Sequence, residues 1–223
     1  MTGRLIALHG FLGCGRDWDA VRANSKCGLE WICPDLFARG SATSFEPPAM
    51  DGPCWLAGYS FGARLALSWM QREPERWSGA LLLSANPGNF QSDNERAARR
   101  AADDLWAEAF RKDPWNDVLA RWNSQDVLAG SPASLRTESD YDRAKLSAAL
   151  RDFSVSGQFT DPLRLPANIV WMAGARDEKF VALQASMREA GFPGTFPLVE
   201  EAGHRLLIEA PEAVVSALDH LVA

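Results

Sequence analysis

Cysteine is scarce in this chain. There are four, Cys14, Cys27, Cys33 and Cys54, with no CxxC pair, so neither a disulfide framework nor a zinc ribbon organises the fold and buried, inert thiols are expected. Histidine is scarcer, only His9, His204 and His220, so any chemistry that needs an imidazole has three candidates. No apolar run approaches the roughly 18 residues that would span a bilayer, and Gly3 and Arg4 before a short apolar segment do not read as a secretory leader. A cytoplasmic address with no membrane partner is expected. Positive charge is in deficit, 23 Lys and Arg against 29 Asp and Glu, a formal charge of −6. Nucleic acid and anionic membranes select clustered basic charge, so neither is expected as a partner. Small anions remain open.

What is present is enough for one domain. The chain has 223 residues, 47 % hydrophobic and 23 % charged, which fits one globular α/β unit with a sizeable core and excludes disorder and coiled coil as whole-chain descriptions. Short apolar runs at 4–8, 29–33, 53–58, 80–84, 169–173 and 195–199 predict strands buried on both faces. Phe61, Leu65 and Trp69 repeat at helical spacing, as do Val214, Leu218 and Leu221 behind Pro211. Alternating strands and helices predict a mostly parallel sheet with right-handed crossovers. Residues 86–166 break the alternation: they carry helical segments, opened by Ser92 and Glu95 as a capping box, and no strand run. Such an insertion predicts a helical lid on a single domain, over the carboxyl ends of the strands where open α/β sheets hold ligands. Nine tryptophans suit a core and a ligand cavity equally.

The sharpest chemical signal is GYSFG at 58–62, between an apolar strand run and an amphipathic helix. Ser60 there is expected on a strained strand-to-helix turn, with glycines two before and two after it admitting close backbone approach. A serine hydroxyl needs a base. His204, in the loop EEAGH after the last strand run, is expected at the same sheet edge, whereas His220 sits in the final helix and His9 in a turn after the first strand, as a turn former. The carboxylate that orients the imidazole is best supplied by Asp177, directly after the run IVWMAG, ahead of Asp161 and Asp35, with Glu178 adjacent. The chain order Ser60, Asp177, His204 is that of the α/β-hydrolase triad. Backbone N–H donors for a developing oxyanion would come from Phe61 and from Phe11 in the first loop.

Four stretches, LHGFLGCGRDW at 8–18, GYSFGARLAL at 58–67, NPGNF with the Arg-rich helix that follows, and GARDEKF with EAGH, resemble the 2-succinyl-6-hydroxy-2,4-cyclohexadiene-1-carboxylate (SHCHC) synthase family of menaquinone biosynthesis over nearly the whole chain. The resemblance implies an α/β-hydrolase fold, a lyase that uses no metal or organic cofactor, and a small multi-carboxylate substrate on a monomer or small homo-oligomer. It also implies roles: Ser60 as the general base that starts loss of pyruvate, His204 as its activator, Asp177 as the orienting group, and the Phe11 and Phe61 amides as oxyanion donors. Carboxylates favour guanidinium forks. Arg64 lies one turn after Ser60 on the same helix face, and of the lid arginines Arg96, Arg99 and Arg100, set apart from an alanine face that ends at Leu105, Arg99 matches the family best. Trp122 matches its lid tryptophan, and a further carboxylate contact falls to Arg136 or Arg143. The chain departs from the family at Asn123, where a tyrosine is usual, at Ala63, in DLFARG at 35–40, and in RLLIEAP after His204. Two rivals follow. One is a carboxylesterase or thioesterase with a covalent acyl-serine; the other is a non-catalytic receptor for an acidic metabolite. Arginines converging near Ser60 would favour the lyase over either enzyme with an apolar slot.

Overall fold

Successive side chains point to opposite faces of a strand, and the apolar runs use both faces. The computed structural model describes residues 3–40, 45–90, 92–132 and 136–223. Its six strands are β1 (Arg4–Leu8), β2 (Glu30–Ile32), β3 (Cys54–Tyr59), β4 (Trp77–Leu83), β5 (Ile169–Gly174) and β6 (Leu198–Val199). They form one sheet in the order β2-β1-β3-β4-β5-β6, every pair parallel. Ile6 and Leu8 join one apolar layer, with Phe61, Leu65 and Trp69 of α2 (Phe61–Arg72); Leu5 and Ala7 join the other, with Val21 of α1 (Asp19–Asn24) and with Val214, Leu218 and Leu221 of a C-terminal helix opened by Pro211. Trp18, Trp69 and Trp171 are all sealed in these layers.

Two expectations need correction. Of the run 195–199 only Leu198–Val199 extends the sheet, while Thr195 makes an isolated bridge to Val170. Pro197 between them has no N–H to give to a ladder. The four thiols are free, but only Cys14 and Cys54 are buried; Cys27 and Cys33 are half-buried at the edge of the second layer.

The chain leaves β1 for β2 on one side and returns through β3 on the other. The carboxyl ends of β1 and β3 therefore flank the point where strand order reverses, the place at which open α/β sheets form a crevice. Between β4 and β5 lie α3 (Asp93–Lys112), α4 (Trp115–Asn123) and α5 (Arg143–Asp152), with no strand of the sheet among the described residues. Residues 91 and 133–135 of this insertion lie outside the description. The Ser92–Glu95 box opens α3, the Ser92 N–H donating to Glu95 Oε2 at 2.7 Å and the Glu95 N–H to Ser92 Oγ at 3.3 Å. The alanine face of α3 turns outward, ending in Leu105 at 74 % exposure, while Arg96, Arg99, Asp103 and Phe110 turn in. Polar side chains occupy the inner face because each finds a partner there. Arg96 donates to the carbonyls of Gly88, Ser156 and Gln158, and Asp103 accepts from Arg99 and Ser154. After β5 the chain enters α6 (Glu178–Glu189), and after β6 it closes with α7 (Leu206–Glu209) and α8 (Pro211–Val222).

Candidate active site

Ser60 joins β3 to α2 with φ 52° and ψ −105°, outside the regions that L-residues favour. The turn is held by its N–H, which donates to Leu83 O at 2.9 Å. Both flanking glycines are required by close approach: a Cβ on Gly62 would sit 2.2 Å from Leu8 O, and one on Gly58 2.6 Å from the Cα of Ala63. The result lifts the Ser60 hydroxyl clear of the sheet edge into a cavity.

His204 reaches that hydroxyl. Its Nε2 lies 3.1 Å from Ser60 Oγ, and its Nδ1 lies 2.6 Å from Asp177 Oδ2. An ionised carboxylate only accepts, so Nδ1 carries the hydrogen and Nε2 is left to take the serine proton. Both His204 and Asp177 are 5 % exposed, with the rings of Phe180 and Tyr59 4.9 and 5.6 Å from the imidazole centre. Of the rival acids, Asp35 accepts from the Gly15 N–H, Asp161 caps the turn at Leu163, and Glu178 is exposed at the start of α6. Phe61 is the first residue of α2, so its N–H has no acceptor within the helix, and the turn bearing Phe11 lines the same cavity.

His9 is fully buried and takes no part in this relay. Its Nε2 accepts from the Leu36 N–H at 3.0 Å, which leaves its Nδ1–H for Gly10 O at 2.8 Å. Protonation would set a second N–H against Leu36. Burial, only partly offset by the Gly10 carbonyl and Asp35, lowers its pKa from 6.5 to about 4. Between these values the unfolded chain binds a proton that the folded chain refuses, so stability falls as pH drops from about 6.5 to 4 and is insensitive to this group above that window. The loss due to His9 is roughly 3 kcal/mol. Urea denaturation across this range should show a slope one proton smaller in His9→Asn than in the parent; equal slopes would remove His9 as the source.

The cavity holds about 590 Å³, and Ser60, His204, Phe11, Phe61, Arg64, Arg99 and Trp122 all line it. Trp122 is tilted against Phe11 at 4.7 Å and meets Trp106 at 5.1 Å, so it is at once part of the insertion's aromatic core and the cavity wall. Arg64 lies over the Phe61 ring at 5.3 Å and donates to Phe153 O. Burial, with Arg99 adding repulsion and Asp103 opposing it, lowers its pKa to about 10, still charged at neutral pH. Arg99 pairs with Asp103 at 2.9 Å. Arg96 and Arg100 do not line the cavity; Arg100 is exposed and bonded to Asp104 and Arg151 O. Arg136 and Arg143 differ in position. Arg143 spends its guanidinium on the last carbonyls of α3 and on Glu138, while Arg136 lines the cavity and pairs with Asp17 at 3.2 Å.

Sequence reasoning missed Lys179, Arg205 and Glu209. Lys179 lines the cavity from the first turn of α6 and makes no hydrogen bond or ion pair among the described residues. Desolvation, Arg99 and Arg64 lower its pKa against Asp177 and Asp103. Its signal was its place two residues after Asp177, at the same strand end. Arg205 donates from Nη2 to Asn123 Oδ1 at 2.8 Å, so the residue that departs from the family's tyrosine is already engaged.

No family model matches the chain. A curated SHCHC synthase from Serratia proteamaculans is 32 % identical to it, over 96 % of this chain and 91 % of that protein. The chain belongs to the SHCHC synthase family. A second member, from Citrobacter koseri, is 30 % identical over 98 % of this chain and 93 % of its own length. Among solved structures, MenH from S. aureus aligns with a TM-score of 0.81 at 19 % identity, over 100 % of this chain and 94 % of that one. The fold is that of the α/β hydrolases, as the triad order implied. No helix among the described residues is long and apolar enough to cross a membrane.

Proposed function

We propose that this chain eliminates pyruvate from 2-succinyl-5-enolpyruvyl-6-hydroxy-3-cyclohexene-1-carboxylate to give SHCHC in menaquinone biosynthesis, as a cytoplasmic enzyme, with Ser60 as the general base. The names of substrate and product fix the bond changes. A 3-ene with its leaving oxygen on C5 becomes a 2,4-diene when the C2 proton is lost, the double bonds shift and the C5–O bond breaks. C2 lies beside the succinyl ketone, so its deprotonation places negative charge on that ketone oxygen, for which the Phe11 and Phe61 amides are the donors. Ser60 takes the proton, passing its own to His204 Nε2, and Asp177 stabilises the imidazolium. The helices between β4 and β5 serve as a lid that keeps water from the enolate.

One observation carries this reading: the cavity that holds Ser60 and His204 is lined by Arg16, Arg64, Arg99, Arg136, Lys179 and Arg205 against Asp17 and Asp140, so cations outnumber acids at its wall. A neutral ester gains nothing from this excess of cations, whereas a substrate bearing several carboxylates supplies counter-charge. The test is to give the purified protein the succinyl-enolpyruvyl substrate and follow pyruvate, with a nitrophenyl ester in parallel. Pyruvate release far above ester cleavage is expected; rapid ester cleavage without pyruvate would replace the lyase with a serine hydrolase.

A further inference from the structure

The imidazole of the triad is carried by a loop, and loops owe their precision to what holds their backbone. The peptide groups around His204 are gripped on both sides by one carboxylate. Glu209 Oε2 accepts from the Gly203 N–H at 2.7 Å and Oε1 from the Arg205 N–H at 2.9 Å. The His204 carbonyl accepts from Ser84 Oγ at 3.1 Å. The same Oε1 of Glu209 accepts from Ser131 Oγ at 2.5 Å, and Ser131 belongs to the insertion that roofs the cavity. Arg205 reinforces the link through Asn123 and Pro132 O. Glu209 itself lies outside the cavity lining, five residues beyond His204 at the end of α7.

We infer that Glu209 is a positioning residue that couples the seat of the insertion at Ser131 to the aim of the His204 imidazole. With the insertion seated, three donors share the carboxylate and the loop is fixed on both flanks of His204. When Ser131 lifts away, Oε1 loses its shortest bond and the peptide at Arg205 is held less tightly. The base is thereby best aligned when the cavity is roofed. Burial acts to raise the Glu209 pKa, but the Ser131, Gly203 and Arg205 donors outweigh it and hold the carboxyl below the usual range, so the grip persists at neutral pH.

The experiment uses the full chain with Glu209→Gln, Ser131→Ala and the double variant. Glu209→Gln turns one acceptor into an NH₂ facing a backbone N–H; its kcat should fall about tenfold with little change in KM, since a small misalignment of a base costs rate more than binding. The far-downfield proton of the His204–Asp177 hydrogen bond, seen by NMR without substrate, should shift or broaden. Ser131→Ala should lower kcat about threefold and perturb the same signal. The double variant should lose less than the product of the two single losses, because Ser131 and the two loop N–H groups act through the same side chain. Folded variants with parental kcat and an unmoved proton overturn the inference, as do additive losses or a kcat loss with the proton unmoved. If Glu209→Gln does not fold, Ser131→Ala alone decides on the same two readouts. The NMR signal needs no substrate, so this outcome is separate from whether pyruvate release is the reaction.

Discussion

Ser60→Ala is expected to lower pyruvate release by about 10³-fold, the scale of a lost general base, while the protein stays folded. The size of the loss is diagnostic. A serine that forms an acyl-enzyme cannot be replaced by its neighbours, and removing it costs about 10⁶-fold. A serine that only moves a proton leaves His204 in place, still held by Asp177 at 2.6 Å with a free Nε2, and a water in the vacated hydroxyl position can relay the proton poorly. Alanine keeps the Cβ, so the φ of 52° at this turn and the bond from the residue 60 N–H to Leu83 O are retained, and circular dichroism should be unchanged. Steady-state pyruvate release and nitrophenyl ester cleavage by the same preparation measure both quantities. Parental pyruvate release would remove Ser60 from the reaction.

The sheet and the meeting of Ser60, His204 and Asp177 were legible in the sequence because each depends on local pattern. Buried parallel strands need unbroken apolar runs, and β1, β3 and β5 follow theirs within a residue or two. The GYSFG turn demands glycines at fixed offsets, and at both of them a Cβ would strike backbone. Strand ends in a parallel sheet share an edge, so the residues just after them were bound to converge. What escaped depends on partners distant in the chain. The phase of α3 could separate arginines from alanines but not say which face turns inward, since Arg99 pairs with Asp103 one turn on while Arg96 is accommodated by the carbonyls of Gly88, Ser156 and Gln158, two of them some 60 residues away. Glu209 looked like one more acid before Pro211; its three donors come from residues 131, 203 and 205. The run 195–199 carried strand residues but also Pro197, and the missing N–H prevailed over apolar character.

Arg64→Met is expected to lower kcat/KM for the multi-carboxylate substrate about 10²-fold, the scale of removing one charged partner from a desolvated ion pair, and to leave hydrolysis of a small neutral ester unchanged. Methionine retains the aliphatic stem that packs within α2, so the change isolates the charge. On the proposed function, Arg64 would meet a substrate carboxylate at a cost to the free protein. It is half-buried, lies beside Arg99 with Asp103 as the acid that opposes it, and donates to Phe153 O. A partly buried cation with half a counter-charge is a poor source of stability, so removing it should leave the melting temperature equal to or above that of the parent. Loss of activity against the anionic substrate without loss of stability is therefore the signature of a residue kept to meet a carboxylate. Equal loss against both substrates, or a large fall in melting temperature, would instead make Arg64 a structural strut between α2 and Phe153.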